Sequence, residues 1–151
     1  MGAKGISREV ETPLADSGTS PQIVGSLDAR NLRFGIVASR YNEELTRDLV
    51  SDALRVLTQQ GADAAVQQVV WVPGAFEIPG VVEHLAAGGG FDALIALGAV
   101  VEGETPHAEL ITRTVTEALS DIARIYDLPV IDTVVAARTY DQAQVRCRSA
   151  E

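Results

Sequence analysis

Two short stretches of this chain carry the residue types and spacing that chemistry needs. The first, Val72-Pro-Gly-Ala-Phe-Glu-Ile-Pro79, sets Phe76 and Glu77 between two prolines, with a glycine before them. Such a composition forces a tight turn, because proline fixes φ and glycine relaxes the steric limits. A carboxylate presented there, at a strand end and a helix start, can accept hydrogen bonds from polyol hydroxyls. It would equally complement a helix dipole, worth about 0.3–1 kcal/mol, with Phe76 filling core. The second stretch, Gly103-Glu-Thr-Pro-His107, is a glycine loop that opens a helix. Free backbone N–H groups, the Thr105 hydroxyl and the helix dipole then point at one spot, as phosphate sites require. Pro106 also suits the first turn of any helix, so an ordinary structural start fits as well. His107 tips the reading towards chemistry, since an imidazole at the mouth of such a loop can move protons near neutral pH.

Weaker candidates accompany these. Tyr41, next to Arg40, can stack a planar ring over the sheet edge or simply pack. Arg146 can grip a phosphate bidentately or serve as a surface charge. His84 falls on the polar side of a helix and reads as solvated. The chain has no Walker loop, no GxGxxG and no nucleophile elbow. Motif arithmetic therefore stops at a phosphate-binding α/β domain.

The elements that must hold these residues are read from periodicity. RFGIVA, from Arg33 to Ala38, is a strand. Asn42 caps a helix whose apolar Leu45, Leu49, Val50, Ala53, Leu54 and Leu57 recur at helical spacing up to Gly61. VQQVVWV, from Val66 to Val72, is a second strand, followed by the Pro-Gly turn and a helix through VVEHLAA into Gly88, Gly89 and Gly90. FDALIALGAV is a third strand with almost no polar residue, as in a strand buried on both faces of a parallel sheet. The longest helix spans His107 to Tyr126, with Ile111, Val115, Ala118, Leu119, Ile122 and Ile125 on its inner face. Pro129 to Val135 is a fourth core strand, and TYDQAQVR begins a last helix. Alternation of strands and helices implies right-handed crossovers and a doubly wound parallel sheet. Ligands bind such sheets beyond the carboxyl ends of the strands, where SRYN, VPGAFEIP and VVEGETPH fall. QIVGS, from Gln22 to Ser26, is a short extra strand suited to pairing with another subunit.

Composition narrows the class. The 151 residues, 46% hydrophobic and 22% charged, suit one domain with one core. A formal net charge of −9 is opposite to a nucleic-acid footprint, so an anionic substrate must be held by local positive groups. The single Cys147 can form neither an intrachain disulfide nor a metal cluster, which suits a reduced cytoplasm. No apolar run approaches the ~20 residues of a membrane span. Residues 1–20 mix Gly, Ser, Thr, Pro and charges without periodicity and read as a flexible arm, with a single domain over 21–151.

In order and spacing, FGIVASRYNEELT, WVPGAFEIP, ALGAVVEGETPH and DQAQVR resemble the lumazine synthase family, from about Gln22 to Arg146. The resemblance implies a flavodoxin-like three-layer α/β/α fold with a parallel four-stranded sheet. It implies a homo-oligomer, a pentamer or twelve pentamers in a shell, with active sites between adjacent subunits. Tyr41 matches the aromatic that stacks on the heterocycle, and Ala75, Phe76 and Glu77 match the turn that grips the ribityl chain. Val100 and Val101 match the backbone beside the pyrimidine. Glu104 and Thr105 match the phosphate loop, His107 the acid-base residue and Arg146 the phosphate-binding arginine. The reaction implied joins a ribitylamino-pyrimidine to 3,4-dihydroxy-2-butanone 4-phosphate, with no metal or redox cofactor and with riboflavin synthase as a candidate partner.

The chain departs from the family at three places. Glu102 replaces an arginine or lysine common before GETPH. Asp132 replaces an aromatic commonly contributed to the neighbour's pyrimidine pocket. The chain also stops soon after Arg146, short of the family's C-terminal helix. These departures keep open a second reading, a subunit that folds and assembles as a shell or flavin-like ligand binder without turnover. A third, a phosphate-binding module unrelated to riboflavin, leaves VPGAFEIP and GETPH as coincidence.

Overall fold

The computed structural model describes residues 23–148. The arm read over residues 1–20 lies outside them. Strands and helices alternate: β1 (Phe34–Ser39), α1 (Glu43–Gln59), β2 (Gln68–Val72), α2 (Ile78–Gly88), β3 (Ala93–Val101), α3 (His107–Tyr126), β4 (Val130–Ala137) and α4 (Tyr140–Cys147). All strand pairs are parallel, in the order β2-β1-β3-β4. The direction of travel across the sheet reverses between β1 and β3. Right-handed crossovers then send α1 to one face and α2 and α3 to the other. Helix α4 joins α1, which completes three layers.

Alternation along the strands builds a core on each face. Val37, Leu94, Ala96 and Val100 point at α2 and α3, where they meet Ile78, Val82, Val115, Leu119 and Ile122. Ile36, Ala38 and Leu97 point at α1, against Val50 and the half-buried Leu49, Ala53, Leu54 and Leu57. A third cluster joins Leu45 and Ala99 to Ala143 and Cys147, which seats α4. Each fully buried Leu, Ile or Val stabilises the fold by about 1.5–3 kcal/mol. Burial pushes the Cys147 thiol pKa up, so it is an unreactive core group at neutral pH. On the outer strand β2, Trp71 is covered by Arg40 and Arg47, whose guanidinium carbons lie 5.5 and 5.4 Å from its ring.

Five details differ from the sequence reading. Asn42 does not cap α1 with its side chain; it takes the left-handed conformation, and its Nδ2 donates to the Ala99 carbonyl at 2.8 Å. Val66 belongs to a 3-10 turn, Ala64–Val66, because the Asp63 carboxylate accepts from the Ala65 N–H at 2.9 Å. Ile125 is 69% exposed, and Tyr126, one position on, packs against the core instead. Strand β4 is an edge rather than a core strand, so Ile131 and Asp132 are exposed. The strand expected over Gln22 to Ser26 is absent from its described residues: Ile23 to Leu27 pair with nothing in this chain's sheet, and Ile23, Val24 and Leu27 lie open. Among the described residues no helix is long and apolar enough to cross a membrane.

Two measurements check this packing. Asn42→Ala removes both the hydrogen bond to β3 and the residue type that tolerates the left-handed region, an expected loss of about 1–3 kcal/mol. An unchanged urea midpoint would contradict it. Cys147 in the folded protein is expected to resist thiol reagents at pH 7 and to react fully once denatured; rapid reaction of the native protein would show that the third core cluster is open.

Candidate active site

The β1–β3 ladder ends at Ala38 and Leu97, and beyond it a crevice opens at the point where the strand order reverses. Asn42 spans that gap through its bond to Ala99. Backbone bonds from Arg40 N to Val72 O (2.8 Å) and Tyr41 N to Pro73 O (3.0 Å) tie the turn after β1 to the turn after β2. Close approach here depends on Gly98. A Cβ on that residue would lie 2.9 Å from the buried Ser39 Oγ.

The VPGAFEIP turn divides its labour. Ala75 and Ile78 are buried in the core, whereas Phe76, between them, is 61% exposed over the crevice. Gly74 lies under the Glu77 carboxylate, and a Cβ there would stand 3.0 Å from Oε2. That carboxylate is exposed, and so is Tyr41, at 72%. Opposite them, α3 begins at His107 with Pro106 at its cap position, and no side chain caps the first turn. Its first backbone donors are therefore available to a ligand.

One depression of about 760 Å³ gathers most of the residues singled out by sequence. Tyr41, Ala75, Phe76 and Glu77 line one side, and Val100, Val101, Thr105 and His107 the other. Leu110, Ile111 and Thr114 complete the wall. Sequence reasoning gave Ile111 to the core face of the helix and passed over Leu110 and Thr114, although all three sit one and two helical turns after His107, a spacing that could have found them. Glu104 lies on the exposed loop outside this lining. Arg146 is not brought together with His107. It lines a second depression of about 950 Å³, with Glu102, Arg113, Arg138 and Asp141. There its Nη1 donates to the Ala136 carbonyl at 3.1 Å. Val100 and Ala108 line both depressions.

The two departures within the described residues also have definite places. Glu102 is exposed, and its backbone N–H donates to Ala137 O at 2.9 Å. Asp132 accepts from the Thr116 hydroxyl at 2.7 Å and from the Val134 N–H at 3.0 Å, so its carboxylate is held in place. His84 is exposed on α2, away from the crevice.

Fold and crevice together define a doubly wound α/β domain with a ligand-sized depression beyond the carboxyl ends of its strands. The chain belongs to the 6,7-dimethyl-8-ribityllumazine synthase family, whose model matches residues 31–151. Two 6,7-dimethyl-8-ribityllumazine synthases from Clostridium kluyveri are each 40% identical over 119 residues, covering 79% of this chain and 77% of theirs. A de novo designed Rossmann fold protein covers 76% of this chain and 92% of its own, with TM-score 0.43 and 13% identity, a likeness too slight to argue from.

Tyr41 and Phe76 are large and exposed at the crevice, so they add little to the core. Replacing either with Ala is expected to change folding stability by less than about 0.5 kcal/mol in urea unfolding. A loss of several kcal/mol would return them to the core.

Proposed function

We infer that this protein condenses 5-amino-6-(D-ribitylamino)uracil with 3,4-dihydroxy-2-butanone 4-phosphate to 6,7-dimethyl-8-ribityllumazine, the penultimate step of riboflavin biosynthesis. Membership of the family supports the reaction. The observation that carries the site is the convergence of Tyr41, Phe76, Glu77, Thr105 and His107 on one depression. In this reading Tyr41 stacks on the pyrimidine, and the turn of Ala75, Phe76 and Glu77 grips the ribityl chain, Glu77 accepting from its hydroxyls. Val100 and Val101 present backbone groups to the ring edge. Glu104 and Thr105 form the phosphate loop, with the uncapped start of α3 adding its N–H groups, and Arg146 binds the phosphate.

The pyrimidine's primary amine attacks the ketone, and water leaves as the imine forms. Phosphate is then eliminated, and the ribityl-bearing nitrogen closes the second ring with loss of a second water. Two substrates thus give one product, one phosphate and two waters. Protons must leave the attacking nitrogens and reach the departing oxygens, the task assigned to His107. Its contribution is about 10²- to 10⁴-fold. Holding two substrates in reacting geometry supplies more of the rate.

The complete site lies between subunits of a homo-oligomer, a pentamer or a sixty-subunit shell. Exposed apolar Ile23, Val24, Leu27, Leu110 and Val145 support assembly, since such surface is seldom left open. The protein works in the cytoplasm, and riboflavin synthase, which consumes the product, is its candidate partner. Glu102 beside the arginines and the fixed Asp132 carboxylate favour one second reading, a subunit that assembles without turnover.

His107→Ala is expected to lower kcat for lumazine formation by about 10²–10⁴-fold, followed by the product chromophore. Arg146→Ala is expected to raise KM for the ketose phosphate by roughly one to two powers of ten, from a charge-assisted bond of about 1.5–3 kcal/mol. Unchanged kinetics in both would remove these roles. An intact oligomer with only background product formation would establish the silent assembly instead.

A further inference from the structure

We propose that Arg138 is a second phosphate-binding arginine, acting with Arg146 as one unit at the end of β4. This rests on the reading of a ketose phosphate as substrate. In a chain of net charge −9, most arginines are already committed to carboxylates. Arg47 pairs with Glu43, Arg55 with Asp52, Arg113 with Glu109 and Arg124 with Asp121. Among the described residues, neither Arg138 nor Arg146 lies within ion-pair distance of a carboxylate, yet both line the same depression.

Their placement is fixed by one piece of backbone. The Arg138 N–H donates to Gln142 Oε1 at 3.2 Å, which ties the residue to the first turn of α4. One guanidinium nitrogen of Arg146 donates to the carbonyl of Ala136, which lies on β4 two residues before Arg138. The remaining donors of Arg146 and the guanidinium of Arg138 are left for a ligand. Because both are anchored at the end of β4, Arg138 goes wherever Arg146 goes, in this subunit's site or a neighbour's.

The depression is not simply basic. Glu102 and Asp141 also line it, and Arg113 is neutralised by Glu109, so two arginines face two carboxylates. A phosphate dianion is held against that opposition, and two arginines supply what one does not. Arg138 therefore offsets Glu102, the carboxylate that stands where the family commonly has a cation.

The test uses the full-length assembled protein, with steady-state kinetics for each substrate and calorimetry with inorganic phosphate. Arg138→Gln is expected to raise KM for the ketose phosphate roughly threefold to tenfold and to weaken phosphate binding by a similar factor, while KM for the ribitylamino-pyrimidine stays within twofold. Arg138→Lys restores part of the loss. Glu102→Gln moves KM for the ketose phosphate the opposite way. A threefold or larger effect of Arg146→Ala beside none for Arg138→Gln, in kinetics and calorimetry alike, overturns the proposal and leaves the function standing. Absence of lumazine formation by the unmodified protein overturns the function; phosphate calorimetry then still decides Arg138, since equal affinity in Arg138→Gln and the parent rejects its role.

Discussion

The whole arrangement depends on β3 being hydrogen-bonded on both edges and buried on both faces. Its run from Ala93 to Val101 pairs with β1 on one side and β4 on the other. A strand in that position tolerates no unpaired polar group, which explains why it is almost wholly apolar. Its side chains alternate between two cores, so a slip of one residue would send every one of them to the wrong layer. With the register set, the carboxyl ends of β1, β2 and β3 fall at one rim. The crevice is where β1 and β3 part.

The site uses the same parts for two purposes. In the VPGAFEIP turn, Ala75 and Ile78 hold the turn in the core, which fixes Phe76 and Glu77 without burying them. In the GETPH loop, Ala108 is buried directly after the exposed His107, so packing holds the backbone that carries the imidazole. Asn42 accepts a left-handed backbone and gives up the side-chain cap of α1 in order to bridge to Ala99. Local preference is overridden there by the need to close the gap at the strand ends.

Much of this was legible in the sequence, for physical reasons. The parallel strands and helices announce themselves because burial on two faces and on one face leave different periods, as β3 and α3 show. The two turns stand out because proline and glycine are punctuation. Three kinds of feature were not legible. Edge position is a property of the sheet rather than of a strand, so β4 read as core. Competition for one hydrogen bond misled the reading of Asn42, since an Asn before a helix normally caps it. Long-range placement was hidden as well: Arg146 and Arg138 share a depression apart from His107, and nothing in their spacing reveals it. Ile23 and Val24 read as strand-forming, but they are exposed and find no partner strand in a single chain.

Locating bound product is the most direct test of the claim that the crevice at the β1–β3 reversal is where lumazine is made. In a crystal of the assembled protein soaked with 6,7-dimethyl-8-ribityllumazine, the account places the heterocycle beside Tyr41, its ribityl chain along Phe76 and Glu77 and its new ring towards His107. A product molecule bound elsewhere on the sheet, or none bound at concentrations that saturate an active family member, would contradict it.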